Sequence, residues 1–130
     1  MSNEISFSII TVTYNSKDNL LKTINSIQSQ GYKSFSHIIK DGLSKDQTNK
    51  IDFSRYRNTE FYESKDKGIY DAMNQALKYA RNEYILYLNS GDIFFQKNSL
   101  RDLDENIRKN PNFNSYCGGT IQVDLKNKRI

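Results

Sequence analysis

Residues 63–92 read ESKDKGIYDAMNQALKYARNEYILYLNSGD, a helix signal followed by a strand signal. Apolar residues recur at helical spacing between positions 68 and 80, which predicts an amphipathic helix. The run Tyr84-Ile85-Leu86-Tyr87-Leu88 predicts a buried central strand, and it stops at the polar tetrad Asn89-Ser90-Gly91-Asp92. Open α/β sheets bind ligands at the carboxyl ends of their strands. The tetrad therefore predicts a site for a hard metal ion or a phosphate group.

Strand and helix signals alternate along the rest of the chain. Strands are predicted at residues 5–13, 35–40, 60–63 and 115–123, and helices between Ser16 and Gly31 and at residues 99–109. This alternation predicts an α/β fold in which a mostly parallel sheet carries helices on both faces. Without low-complexity linkers, residues 1–130 are expected to form a single domain.

Composition limits the classes of function. The net charge of +4 suits an anionic partner such as a nucleotide diphosphate, but the basic residues are scattered, so nucleic acid is not expected. The one cysteine, Cys117, excludes an internal disulfide and indicates a reducing compartment. No apolar run reaches the roughly 20 residues of a membrane span. We expect a cytoplasmic chain whose basic segment 126–129 is a solvated tail or touches anionic lipid.

Polar clusters follow three of the predicted strands: Thr13-Tyr14-Asn15, Asp41-Gly42 and the tetrad. In a doubly wound sheet these strand ends converge on one crevice. Asp41 and Asp92 are then neighbours with different tasks, one accepting hydrogen bonds from a base or ribose and the other binding a cation. The alternative is that each aspartate merely starts a loop. His37 is expected to be structural or solvent-facing, and the sequence has no zinc motif, GxGxxG motif or P-loop.

These segments resemble motifs of the inverting family 2 nucleotide-sugar glycosyltransferases, which have the GT-A (Rossmann-like) fold. The sequence at 10–15 is similar to the family's first-strand TYN, and DGLSKDQT at 41–48 to DGSxDxT. DKGIYDAMN at 66–74 looks like the DxGIYDAMNKG of an exopolysaccharide and colanic-acid-type subgroup. LNSGD at 88–92 lies where the family has its LDxDD metal motif. The four motifs occur in order and the resemblance covers about residues 5–119.

The resemblance implies transfer of a sugar, with inversion, from a UDP-linked donor to a saccharide or lipid-linked acceptor in surface polysaccharide synthesis. Thr13, Tyr14 and Asn15 would lie against the nucleobase and ribose. Asp41 would accept a hydrogen bond from uracil N3–H. Asp92 would coordinate Mg²⁺ or Mn²⁺ bridging the donor diphosphate, as hard ions prefer oxygen ligands. The protein would be cytoplasmic, with peripheral contact to the inner membrane surface.

The start of the 68–80 helix supplies further candidate donor contacts. By resemblance it approaches the donor, which makes Asp66, Lys67 and Asp71 candidates, with Lys67 the phosphate partner by charge. The alternative is an ordinary solvated helix face.

Two departures from the family pattern shape the expectation of activity. Asn89 and Gly91 replace carboxylates of the commoner DxDD motif, so Asp92 is expected to ligate the metal nearly alone. The family's general base and its QxxRW-like acceptor helix lie beyond the part that this sequence matches. We therefore expect the donor-binding part of a transferase, C-terminally incomplete, with little or no turnover and no assigned catalytic base. An inactive donor-binding module and a flavodoxin-like nucleotide sensor are the alternatives.

Overall fold

A computed structural model of the protein describes residues 4–112, and in this part the chain builds a four-stranded sheet in which all neighbouring strands are parallel. The strand order is β3-β2-β1-β4. The elements in chain order are β1 (Phe7–Thr13), α1 (Lys17–Gln28), β2 (Phe35–Asp41), β3 (Thr59–Glu63), α2 (Ile69–Leu77), β4 (Tyr84–Tyr87) and α3 (Ser99–Lys109), with short 3-10 turns at Thr48–Lys50 and Phe53–Arg55. The predicted strand at 115–123, Cys117 and the basic segment 126–129 lie outside the described residues.

The two middle strands are buried because both of their faces are covered by helices. Phe7 and Ile9 of β1 belong to a core cluster with residues of α1 and α3. Ile10 and Val12, which alternate with them, pack against Ala72 and other residues of α2. Side chains of a strand alternate between the two faces of its sheet, so these two clusters lie on opposite faces. The predicted parallel sheet with helices on both faces is confirmed.

The structure shows one neighbour of β4 among the described residues. Residues 84–88 were expected to form the central strand, yet within residues 4–112 β4 pairs only with β1 and lies at the edge of the sheet. Ile85 and Tyr87 are 45% and 39% exposed and alternate with the half-buried Tyr84 and Leu86. An apolar run identifies a strand but carries no information about its neighbours, and the strand predicted at 115–123 lies outside the described residues, so the central position of β4 stays a prediction.

A buried polar network fixes α3 against the start of β1. The Asp104 carboxylate accepts hydrogen bonds from the Ile5 N–H at 3.1 Å and the Tyr32 hydroxyl at 2.6 Å, and it pairs with Arg108. Burial raises the pKa of Asp104, but these hydrogen bonds outweigh it and hold the pKa below its usual value.

Among the described helices, none is long and apolar enough to cross a membrane.

Candidate functional site

The three polar clusters meet at the carboxyl edge of the sheet. Thr13 and Asp41 are paired at the ends of β1 and β2, and the Gly42 N–H donates to the Thr13 carbonyl at 3.1 Å. The chain after β4 stays beside β1, because the Ser90 N–H donates to the Val12 carbonyl at 3.2 Å. The strand ends therefore lie at one edge of one sheet, as expected. A cavity of about 570 Å³ borders Ser34, Asn58 and Asn82 near the amino ends of the strands and shares no residue with this edge.

Asp41 organises the loop that follows β2. Its side chain is fully buried, with Oδ2 accepting the Ser44 N–H at 2.8 Å and Oδ1 accepting the Ser44 hydroxyl at 2.5 Å. The carboxylate is therefore not exposed to solvent. The predicted contact between Asp41 and uracil stays a prediction, and the geometry gives the residue a structural task.

Asp46 and Asn15 fasten the same loop to the start of α1. The Asp46 carboxylate accepts the Lys17 N–H at 2.9 Å and the Thr48 hydroxyl at 2.5 Å. The hydrogen bond from Thr48 is the main cause that lowers the pKa of Asp46. Asn15, at φ +48°, donates its N–H to Ser44 Oγ and accepts the Lys45 N–H, each at 2.7 Å. Asparagine tolerates this left-handed conformation, which explains its place in the turn.

Lys40 and Asp66 form a buried ion pair beside this loop. The Lys40 side chain is 2% exposed, and its Nζ donates to Asp66 Oδ2 at 3.1 Å and to the Ser64 carbonyl at 2.8 Å. A Cβ added to Gly42 would lie 2.7 Å from Asp66 Oδ2 and 3.4 Å from Tyr14 Cδ1, so the partly exposed carboxylate borders the crevice. Sequence reasoning missed Lys40. A lysine directly after the buried pair Ile38-Ile39 was the available signal, because a buried charge needs a partner.

The start of α2 carries the remaining candidates. Asp71 Oδ2 accepts the Lys67 N–H at 2.8 Å and the Gln75 amide at 3.1 Å, which ties the residue before the N-cap Gly68 to the first turn of α2. The Lys67 side chain is exposed, and within residues 4–112 its ammonium has no hydrogen-bond or ion-pair partner. Lys67 is therefore open to an anion, whereas Asp71 is engaged in the helix start. Thr13 is buried and Tyr14 is 57% exposed.

The tetrad forms a tight turn that leaves its acid exposed. The Asp92 N–H donates to the Asn89 carbonyl at 2.8 Å, and Gly91 adopts φ +96°, a conformation that favours glycine. Within residues 4–112, the hydrogen bond that Asp92 Oδ2 accepts comes from the Asn89 N–H, at 3.2 Å. Asn89 Oδ1 and Thr13 Oγ1 are buried oxygens without a hydrogen-bond partner among the described residues.

The oxygens of Asp92 and Asn89 fit a hard cation that is held by few protein ligands. Residues 4–112 contain no group of three or more His, Cys, Asp or Glu side chains placed to hold a metal. Mg²⁺ and similar ions are commonly held by one or two carboxylates together with phosphate oxygens. Asp92 and the unpartnered amide oxygen of Asn89 are consistent with such a site.

His37 lies beneath the tetrad as a structural residue. Thr11 Oγ1 donates to the Leu88 carbonyl at 2.6 Å and therefore accepts at 2.7 Å from His37, whose Nε2 must carry the proton. Burial lowers the pKa of His37 to about 3, so the ring is neutral at physiological pH. Of the two expectations for His37, the structure supports a structural role and not a solvent-facing one.

Comparisons with known proteins agree with this arrangement. The family model described as "Glycosyl transferase family 2" matches residues 8–129. The chain is 42% identical over 89 residues to the Escherichia coli UDP-Glc:alpha-D-GlcNAc-diphosphoundecaprenol beta-1,3-glucosyltransferase WfaP, covering 65% of this chain and 35% of WfaP. It is 33% identical over 103 residues to the Staphylococcus aureus poly(ribitol-phosphate) beta-N-acetylglucosaminyltransferase TarS, covering 74% of this chain and 18% of TarS.

The same fold occurs in a solved structure. The crystal structure of S. aureus TarS 1-349 in complex with UDP-GlcNAc superposes with a TM-score of 0.74 at 29% identity, covering 81% of this chain and 32% of that chain. The GT-A-type architecture is thereby confirmed. The chain spans less than half the length of these relatives.

Proposed function

The chain belongs to glycosyl transferase family 2, and from this premise we propose that it forms the donor-binding part of an enzyme that transfers a sugar from a UDP donor. The acceptor in this proposal is a saccharide or lipid-linked sugar of surface polysaccharide synthesis. Two relatives support the proposed donor and acceptor. The name of WfaP contains both UDP-Glc and a diphosphoundecaprenol acceptor, and TarS was crystallised with UDP-GlcNAc. A lipid-linked acceptor would bring the protein to the cytoplasmic face of the inner membrane as a peripheral protein.

The observation that carries the proposal is that two accessible acids, Asp66 after β3 and Asp92 after β4, follow strand ends at the same edge of the sheet. Asp66 borders the exposed Tyr14 ring, and Asp92 is exposed on the turn after β4. We assign the nucleobase to the Tyr14 side, where the partly exposed Asp66 carboxylate, in place of the buried Asp41 that the resemblance implies, would accept a hydrogen bond from uracil N3–H. Cytosine has no hydrogen at N3, so such a carboxylate favours UDP over CDP. Thr13, Asn15 and the buried Asp41 shape this side of the crevice.

The diphosphate is assigned to the tetrad side. Mg²⁺ or Mn²⁺ would be held there by Asp92, with Asn89 Oδ1 as a further oxygen, and would neutralise charge on the leaving diphosphate. The exposed Lys67 ammonium would add positive charge near a phosphate. Asp71 holds the start of α2, from which Lys67 projects. Inversion requires a base near the acceptor hydroxyl, and no residue within 4–112 is assigned to that step.

Binding of UDP tests the assignment of the two acids. Isothermal calorimetry should show tighter UDP binding with Mn²⁺ than with EDTA, and Asp92→Asn should abolish this difference. Asp66→Asn should weaken UDP binding and narrow the preference for UDP over CDP by about tenfold, the cost of one charged hydrogen bond. Asp102→Asn, an exposed acid in α3, is the matched control and should change neither. Equal UDP affinity with Mn²⁺ and with EDTA would exclude Asp92 as a metal ligand.

Transfer itself separates an enzyme from an inactive donor-binding module. UDP release is measured with pooled UDP-sugars, Mn²⁺ and a crude glycolipid acceptor. The 130-residue chain is expected to bind UDP-sugar with little turnover, because no residue among 4–112 is assigned as the base that inversion requires. Robust acceptor-dependent turnover by this chain would show that a base lies within residues 1–130.

A further inference from the structure

A stripe of polar residues runs along α1 and just beyond its ends. Its members are three or four positions apart, so they share one side of the helix beside the buried apolar residues Leu20, Ile24 and Ile27. We call this set the polar stripe: Ser16, Asn19, Thr23, Ser26 and Gln30. None of these residues is required by the donor site described above.

The polar stripe holds the chain after β4 through backbone contacts. Ser26 Oγ accepts the Phe94 N–H at 2.7 Å. The Gln30 side chain accepts the Leu100 N–H at 3.0 Å and donates to the Gln96 carbonyl at 2.7 Å. At the other end, Ser90 Oγ donates to the Ser16 carbonyl at 3.3 Å. The segment between residues 90 and 100 is thus fastened to α1.

Thr23 makes the contacts nearest to the acid of the tetrad. Its fully buried hydroxyl donates to the Asp92 carbonyl at 2.8 Å and accepts the Gly91 N–H at 2.9 Å. One hydroxyl thereby fixes two adjacent residues of the turn. A Cβ at Gly91 would lie 3.6 Å from Asn19 Cβ, so the turn also packs closely on the helix.

These contacts leave the carboxylate of Asp92 uncommitted. The hydroxyl of Thr23 bonds to main-chain atoms only, and the Asp92 carboxylate stays exposed with one backbone N–H as its partner. A metal ligand must be held in a fixed orientation by groups around it, and removing such a supporting group costs about 10–100-fold in metal affinity.

We propose that Thr23 is a positioning residue for the donor site: its hydroxyl orients the 89–92 turn so that the Asp92 carboxylate meets the divalent cation of the bound UDP donor. This inference rests on the proposed function, because it takes Asp92 as the metal ligand. Thr23 touches neither the nucleotide nor the ion. It acts through the backbone of the turn.

The test compares Thr23→Val, which keeps the shape and removes the hydroxyl, with Thr23→Ser, which keeps the hydroxyl. UDP affinity is measured by calorimetry with Mn²⁺ and with EDTA. With Mn²⁺ present, we expect Thr23→Val to bind UDP about tenfold more weakly than the wild type. With EDTA, the two proteins should bind UDP equally well. Thr23→Ser should retain the metal dependence. Ser29→Ala, which removes an exposed hydroxyl bonded within α1, is the matched control and should also retain it.

A second measurement needs no ligand. Hydrogen exchange of the Gly91 amide should be faster in Thr23→Val than in the wild type or Thr23→Ser, because its acceptor is gone. If Thr23→Val does not fold, Thr23→Ala is judged by the same two criteria. Wild-type metal dependence that persists unchanged in the folded variant overturns the positioning role. Absence of metal dependence in the wild type instead overturns the proposed function of Asp92, so the two failures are distinguishable.

Discussion

The loop after β2 and the turn after β4 are both rich in polar residues and acids, but they are held in opposite ways. In the first, residues 42–48, the acids themselves are the fasteners, since Asp41 and Asp46 accept hydrogen bonds from the loop and from α1. In the second, residues 89–92, the Thr23 hydroxyl of α1 forms hydrogen bonds with the backbone, and the Asp92 side chain stays exposed. An acid used to build a loop is unavailable to a ligand, whereas an acid on a turn held from outside is available.

The largest effect is expected from removing the buried acid of the first loop. Asp41→Ala should lower the free energy of unfolding by about 3 kcal/mol, because the half-buried Ser44 N–H and hydroxyl lose the buried, charged acceptor to which both donate. Asp92→Ala, the counterpart on the turn, should change stability by no more than about 0.5 kcal/mol. Urea denaturation of both variants measures the difference. Equal losses would show that the two acids have the same structural role.

The next effect concerns the close approach of Asp66 to the first loop. Gly42→Ala should cost about 2 kcal/mol of stability, because its Cβ must displace a carboxylate held by Lys40 and by the Gly68 N–H. The same displacement should weaken UDP binding. Gly31→Ala is the control, since a Cβ there meets nothing within 4 Å. Thermal unfolding and UDP calorimetry of both variants check this. A Gly42→Ala variant with wild-type stability and wild-type UDP affinity would show that Asp66 does not border the nucleotide site.

A loss of stability of comparable size is expected at low pH, and its cause is His37, beneath the turn after β4. The pKa of His37 is about 3 in the folded protein and near 6.5 in the unfolded chain, so the unfolded chain takes up the proton first. Stability is therefore retained above pH 6.5 and falls as the pH drops toward 3, by about 2 kcal/mol between pH 7 and pH 5. In His37→Gln this part of the pH dependence should disappear. Identical pH profiles of urea denaturation for both proteins would contradict it.

The smallest effect is expected from one hydroxyl of the first loop. Ser44→Ala should cost about 1 kcal/mol, because its hydroxyl donates to Asp41 and accepts the Asn15 N–H. Ser54→Ala removes a similar but exposed hydroxyl, bonded to Asp52, and water can replace it. Its loss should be smaller. A Ser54→Ala loss equal to that of Ser44→Ala would show that burial of the acceptor does not matter here.

Much of the fold was readable from the sequence because its elements are strongly periodic. The predicted helix at 99–109 matches α3, and the predicted strands at 35–40 and 60–63 match β2 and β3 within one residue at each end. The helix predicted at 68–80 is shorter in the structure, at Ile69–Leu77. The polar stripe of α1 was also visible as a spacing of three and four, but its meaning was not, because polar residues on a helix surface usually face water.

The sequence by itself determined the order of strands and helices along the chain, the convergence of three polar clusters at one sheet edge, and the family. Local spacing and short motifs carry that information, since they act over a few residues. Only the tertiary structure decided that β4 lies at the edge within residues 4–112, that Asp41 is buried, and that Thr23 holds the turn of Asp92. Thr23 and Asp92 are 69 residues apart, and Lys40 and Asp66 are 26 apart. Which polar group finds which partner depends on packing that no local pattern encodes.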